Sequence, residues 1–123
     1  MAHKFEWQDK GVCWKYSGDV SGQEIIDASA AIYGDPRFDN LEYKLVDFLD
    51  ASSVNMSDDE VARIAYQHKA AELSNPRIKN AIVMTVAVDL AEKFATFFAD
   101  SRWEVKVFQD LEAANQWLAL STS

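Results

Sequence analysis

Cysteine is nearly absent from this sequence. Cys13 is the only one, so the chain forms no internal disulfide and builds no cysteine-based zinc site. Glycine is scarce too: with four in 123 residues, neither a G-x-G-x-x-G fingerprint nor a Walker sequence occurs. Gly18-Asp-Val-Ser-Gly22 lacks the spacing of a nucleophile elbow. Asp19 and Glu24 would also repel an anion held by its backbone N–H groups. Long apolar runs are missing. The longest stretch without a strongly polar or charged residue extends from Ala81 to Val88, far short of the ~20 residues of a membrane helix. The sequence does not open as a signal peptide does, with a basic and then an apolar segment. Basic residues are in the minority, 12 against 20 acidic, for a net charge of -8. Such a surface repels phosphate backbones, and no nucleic acid partner is expected. A cytoplasmic, bacterial setting without a transmembrane segment fits these absences.

What is present is patterning. An apolar content of 49% supports one core and one domain over residues 1–123. His3 to Gln8 alternates, with Phe5 and Trp7 on one face, and Val12 to Tyr16 alternates again after the turn Asp9-Lys10-Gly11, so the two form an antiparallel hairpin. Ser21-Gly-Gln-Glu24 reads as a capping box. It opens a helix with Ile25, Ala28, Ser29 and Ile32 inward, and Gly34-Asp35-Pro36 closes it. Ile26, Ala30 and Tyr33 make a second stripe wide enough for a homodimer face.

Tyr43 to Leu49 is a mostly apolar strand, followed by a polar loop from Asp50 to Met56 and a second capping box, Ser57-Asp-Asp-Glu60. The helix it starts carries Val61, Ile64, Ala65 and His68 on one side and stops at Asn75-Pro76. Ala81 to Val88, apolar on both faces, is expected to be a central strand. Asp89 starts a third helix with Leu90, Phe94, Phe97 and Phe98 on one stripe. Trp103 to Phe108 suits an edge strand, and Asp110 caps a last helix with Leu111, Ala114 and Leu118 inward. The expectation is an α/β fold in β-β-α-β-α-β-α-β-α order, a single mixed five-stranded sheet with about four helices. Its N-terminal hairpin is antiparallel and its later strands parallel, joined by right-handed crossovers.

Parallel strands bring Asp19 and Ser21, then Asp50, Ser52, Ser53, Ser57 and Asp58, then Asp89 to one sheet edge, where open α/β sheets bind ligands. Helix capping accounts for Ser21, Ser57 and Asp89 without any ligand. No spacing resembles a calcium loop, so no metal is expected, and no motif implies a cofactor. Asp47, inside the strand and facing with Tyr43, Leu45 and Leu49, is a carboxylate that needs partners if buried. His68 on an apolar stripe reads as a core residue, and Cys13 as a small core filler. Lys69, Arg77 and Lys79 form a local basic spot suited to a lipid headgroup or an acidic partner.

Asp35-Pro-Arg-Phe38, Leu45-Val-Asp47, and Val105-Lys-Val-Phe108 running on through Ala113 or Ala114 to Trp117-Leu118 resemble the SpoIIAA-like branch of the STAS superfamily. These are the anti-sigma-factor antagonists, related to the lipid-binding lobe of Sec14-type proteins. The likeness spans nearly the whole chain and rests on packing signatures. It implies the fold above and a regulatory role. The phosphorylated antagonists carry Asp-Ser-Ser-Gly after the third strand. Here the matching stretch is Met56-Ser57-Asp58-Asp59, so Ser57 matches the first serine, Asp58 replaces the phosphoacceptor and Asp59 replaces the glycine. The phosphoacceptor motif is not intact.

Two functions follow as expectations. One is a non-enzymatic regulatory module that docks an unidentified protein partner through Asp50, Ser52, Ser53, Ser57, Asp58 and Asp59. The other is a carrier of a small apolar ligand or lipid, its pocket formed by Asp47, Phe94, Phe97 and Phe98, with peripheral membrane contact through the basic spot.

Overall fold

The structure, a computed structural model, describes residues 3–122. Strands β1 (His3–Trp7) and β2 (Gly11–Ser21) form the hairpin, with Phe5 opposite Trp14 and Trp7 opposite Val12. Helix α1 (Gly22–Tyr33), strand β3 (Tyr43–Asn55), helix α2 (Asp58–Ser74) and strand β4 (Lys79–Val83) come next. Helix α3 (Val88–Thr96), strand β5 (Glu104–Phe108) and helix α4 (Leu111–Thr122) complete the order. The strands make one sheet in the order β1-β2-β3-β4-β5. Only β1 runs antiparallel to its neighbour; β2 to β5 are mutually parallel, as strand-helix-strand crossovers require.

Strand alternation sorts the core into two layers. Trp14 and Tyr16 of β2, Val46 and Phe48 of β3, and Ile82 and Met84 on and just past β4 pack with α1, α2 and α3. Leu45, Ala81 and Val83 face the other way and meet Ala114 and Leu118 of α4. One face of the sheet therefore carries three helices and the other carries one.

Four local expectations are corrected. The polar stretch after Leu49 is not a loop: β3 continues through Asn55, paired with the second half of a β2 that runs on to Ser21. Register breaks between Lys15 and Ser17 and between Gly18 and Asp19 absorb the mismatch. Gly18 there has φ +71, a left-handed conformation that favours a residue without Cβ. Conversely, β4 stops at Val83 rather than Val88. Its neighbour β5 ends at Phe108, and the N–H of Met84 donates to the Phe108 carbonyl at 2.9 Å as the last rung. Helix α3 is then entered through Ala87, at φ 53, with no side-chain cap; Asp89 lies inside its first turn. Finally, Ser21 accepts the N–H of Glu24 at 3.2 Å, but the Glu24 carboxylate turns to His3 Nδ1, also at 3.2 Å, so only half of the first capping box forms.

The stretch before β3, read as a loop, contains a short 3-10 turn at Pro36–Asn40. Of the second stripe of α1, Ile26 and Tyr33 pack against the core and Ala30 is exposed.

Candidate functional site

Between the sheet and helices α1 to α3 lies a cavity of about 60 Å³. A single water needs roughly 10–15 Å³ on this measure, so the space exceeds one solvent site. Its floor is Trp14, Tyr16, Val46 and Ile82, and Ser29, Ile64, His68 and Phe94 enclose it from the helices. Ile25, Val61, Leu90 and Ala91, from the first turns of the three helices, line it near their N-terminal ends. Met56 and Leu90 are the part-exposed residues of the lining, so the cavity approaches solvent between them.

The wall is apolar, and four residues that line it carry a buried polar atom without a hydrogen-bond partner, Trp14 Nε1, Tyr16 OH, Ser29 Oγ and Asn80 Oδ1, each almost wholly shielded from the cavity. Their residues are at most 2% exposed. Burial raises the Tyr16 pKa. The nearby Trp14 indole N–H partly opposes that rise, but the two groups do not meet the geometry of a hydrogen bond. Glu24 adds to the rise.

Beside Asn80 in the register sits Lys44, fully buried. Its Nζ bonds the Tyr33 hydroxyl at 2.5 Å and lies 4.9 Å from the Trp103 ring, 5.0 Å from Tyr33 and 5.5 Å from Trp14. Burial holds this amine well below the ordinary lysine range and pushes the Tyr33 phenol well above its own. His68, also buried, points Nδ1 at the Ile64 carbonyl, 2.9 Å away, which requires the proton on Nδ1. Burial first, and Lys44 second, hold the imidazole well below its usual pKa.

The residues singled out from sequence divide sharply. Phe94 lines the cavity. Phe98 is buried against Phe94 and Trp103, and Phe97 is half-buried against Tyr66. Asp47 is not among them. Alternation turns it to the α4 side of the sheet, where it accepts the Leu49 N–H at 2.8 Å; burial first, then Glu6 and Asp47, raise the pKa of nearby Cys13.

The Asp50–Asp59 residues come together at the predicted edge, and most are engaged within the chain. Ser53 Oγ donates to Asp19 at 2.7 Å, Asp50 pairs with Lys15 at 3.3 Å, and Asp58 pairs with Lys93 at 2.6 Å. Ser57 forms a complete capping box with Glu60. Replacing Ser57 with alanine should lower stability by about 1 kcal/mol, read as a shift in the urea midpoint at constant slope. Ser52 and Asp59 are exposed.

The basic spot disperses: Lys69 bonds Ser101, Arg77 bonds the Asp39 carbonyl and Lys79 pairs with Glu104. Among the described residues no three His, Cys, Asp or Glu side chains stand close enough to hold a metal ion. No helix among them is long and apolar enough to cross a membrane.

The sequence matches no protein-family model and no curated protein. Its fold is similar to that of the crystal structure of an uncharacterized DUF3478-family protein with a SpoIIAA-like fold from Shewanella loihica PV-4. The TM-score is 0.51 at 16% identity, over 95% of this chain and 92% of the other. The architecture is thus SpoIIAA-like, as the packing signatures implied.

Proposed function

We propose that this chain, a protein of SpoIIAA-like fold, is a non-enzymatic module that binds a small, largely apolar molecule between its sheet and helices α1 to α3. The observation that carries the reading is the cavity of about 60 Å³ itself, apolar over nearly all of its surface and reaching the part-exposed Met56 and Leu90. An apolar wall of that kind suits the body of a small apolar molecule.

Ala91, on the first turn of α3, is the place to test this. Its replacement by leucine fills the cavity beside the part-exposed Leu90 and Met56. Native mass measurement of gently purified protein should show a small-molecule adduct on the wild type and a bare mass for Ala91→Leu of unchanged circular dichroism. Bare masses for both, with no response to added apolar compounds, would remove the reading.

A second reading is favoured by the shape of β3. Beyond Asp47 no strand pairs with its β4 side among the described residues, and a free strand edge is a template for a partner's strand. Asp50, Ser52, Ser53, Ser57, Asp58 and Asp59 would flank such a partner. Alanine at Ser52 and Asp59 together should then abolish co-purification of a host protein while leaving small-molecule content as it was.

A further inference from the structure

Two large apolar side chains stand exposed among the described residues, Tyr66 at 63% and Leu73 at 88%. Both belong to α2. About two turns separate them, so they share the helix face opposite the buried Val61, Ile64, Ala65 and His68. Ala62 and Ala70 fall on the same face and keep it low enough for another helix to approach closely. Phe97, half-buried with its ring 6.0 Å from that of Tyr66, widens it.

Charge is divided along this face. Helix α3 and the turn after it run beside α2 in the same direction, with Asp58 on Lys93, Tyr66 on Phe97 and Lys69 on Ser101. At the N-terminal end stand Asp58, Asp59, Asp89 and Glu92, all exposed, with Lys93 the cation among them. At the C-terminal end stand Lys69, Arg77 and Arg102, none with a carboxylate partner among the described residues. Of the acids there, Glu72 accepts the Arg102 N–H at 2.8 Å and Asp100 is exposed. An acidic protein or an anionic membrane would meet the basic end and be repelled by the other. A face with an acidic end, an apolar middle and a basic end complements itself when turned end for end.

We propose that the outer face of α2 is a self-association surface, on which a second copy of this chain docks antiparallel about a two-fold axis. Setting Tyr66 opposite the partner's Ala70 brings Leu73 onto the aliphatic stem of the partner's Arg63, and Asp59 to the basic end at the partner's Arg77. The axis repeats every contact, so the exposed apolar side chains of both copies are covered. A 17-residue helix is only ~25 Å long. The contact therefore falls at the low end of interface size, and the dimer is weak, with a dissociation constant on the order of 10–100 µM.

Sedimentation equilibrium of the full chain across that concentration range should show a monomer in exchange with a dimer. Leu73→Glu, at a position too exposed to disturb the fold, should weaken the dimer at least ~10-fold by placing a charge in the contact. Asp59→Arg and Arg77→Glu should each weaken it as well. An equimolar mixture of these two variants should dimerise more tightly than either alone, because both of its end contacts then join opposite charges. Arg102→Glu serves in place of Arg77→Glu if loss of the bond to the Asp39 carbonyl unfolds the chain.

A monomer throughout, a dimer indifferent to Leu73→Glu, or a mixture no tighter than its components would overturn the proposal. Phosphatidylserine vesicles that bind the wild type and not Leu73→Glu would overturn it too, by assigning the face to a lipid surface.

Discussion

Asn75→Ala is expected to destabilise the fold by about 3–5 kcal/mol, more than any other polar-to-alanine change argued from this structure. Asn75 is fully buried at the end of α2. Its side-chain Nδ2 donates to the carbonyls of Phe38 and Leu41, at 2.8 and 2.9 Å, and its Oδ1 accepts the Arg77 N–H at 3.1 Å. Its own carbonyl accepts the Trp103 indole N–H at 2.6 Å, a bond that survives truncation. Alanine leaves the Leu41 carbonyl and the Arg77 N–H without this partner and takes one of two bonds from the Phe38 carbonyl, which keeps the Leu41 N–H at 3.1 Å; each loss costs about 1–3 kcal/mol where water cannot replace it. One residue thus ties the entry to β3, the exit from α2 and the approach to β5. Asn75→Asp should be worse, because it replaces two donors by an acceptor and buries a charge. Urea denaturation at neutral pH reads both. A loss below 1 kcal/mol for alanine would show that the clamp does not carry the junction.

Sequence patterning revealed the elements whose causes are local. Phe5 with Trp7, and Val12 with Trp14 and Tyr16, alternate because each half of the hairpin has one buried face. Ser57 with Glu60 marked the start of α2 because a capping box closes within one turn. The errors have a common cause in pairing across strands. Asp50 to Asn55 is polar and reads as a loop, yet it is strand because β2 continues alongside with Val20, Ala51 and Val54 buried. Val86, Ala87 and Val88 are apolar and read as strand, yet they turn into α3 because β5 offers no rung past Phe108.

The site was legible only in outline. Phe94 and His68 lay on stripes recognisable at 3.6-residue spacing, and the sheet edge was identified. On β3 the carboxylate Asp47 stands out by residue type, whereas the alternate set Lys44, Val46 and Phe48, with a lysine on an apolar face, is the one turned toward helices α1 to α3. Asn80 and Ser29 carry no signal, since a single polar residue within an apolar stripe is common; only the meeting of β2, β4 and α1 brings these residues to one cavity.

Lys44→Met should raise stability at pH 7 and abolish most of the loss of stability that the wild type shows as pH falls from about 8.5 toward neutrality. In the folded protein, burial without a carboxylate partner holds the Lys44 amine well below its ordinary pKa, whereas in the unfolded chain it titrates near 10.4. Between those two values the unfolded state binds one more proton than the native state, so stability rises with pH by about 1.4 kcal/mol per unit. It is lost as pH falls toward the folded value. His68, also depressed, adds a slope of the same sign only below about pH 6.5. The raised Cys13, Tyr16 and Tyr33 act in the opposite direction at and above about pH 8.5–10, which sets the upper end of the window. Methionine keeps most of the apolar length of the side chain, gives up the Nζ contacts with Tyr33, Trp14 and Trp103, and has no proton to lose. The difference between the two proteins should therefore shrink by about 1.4 kcal/mol for each unit of rising pH. Parallel pH curves would mean that Lys44 keeps its charge in the folded state. That result would place a buried cation beside Asn80, held by the Tyr33 hydroxyl and the surrounding rings rather than by a carboxylate.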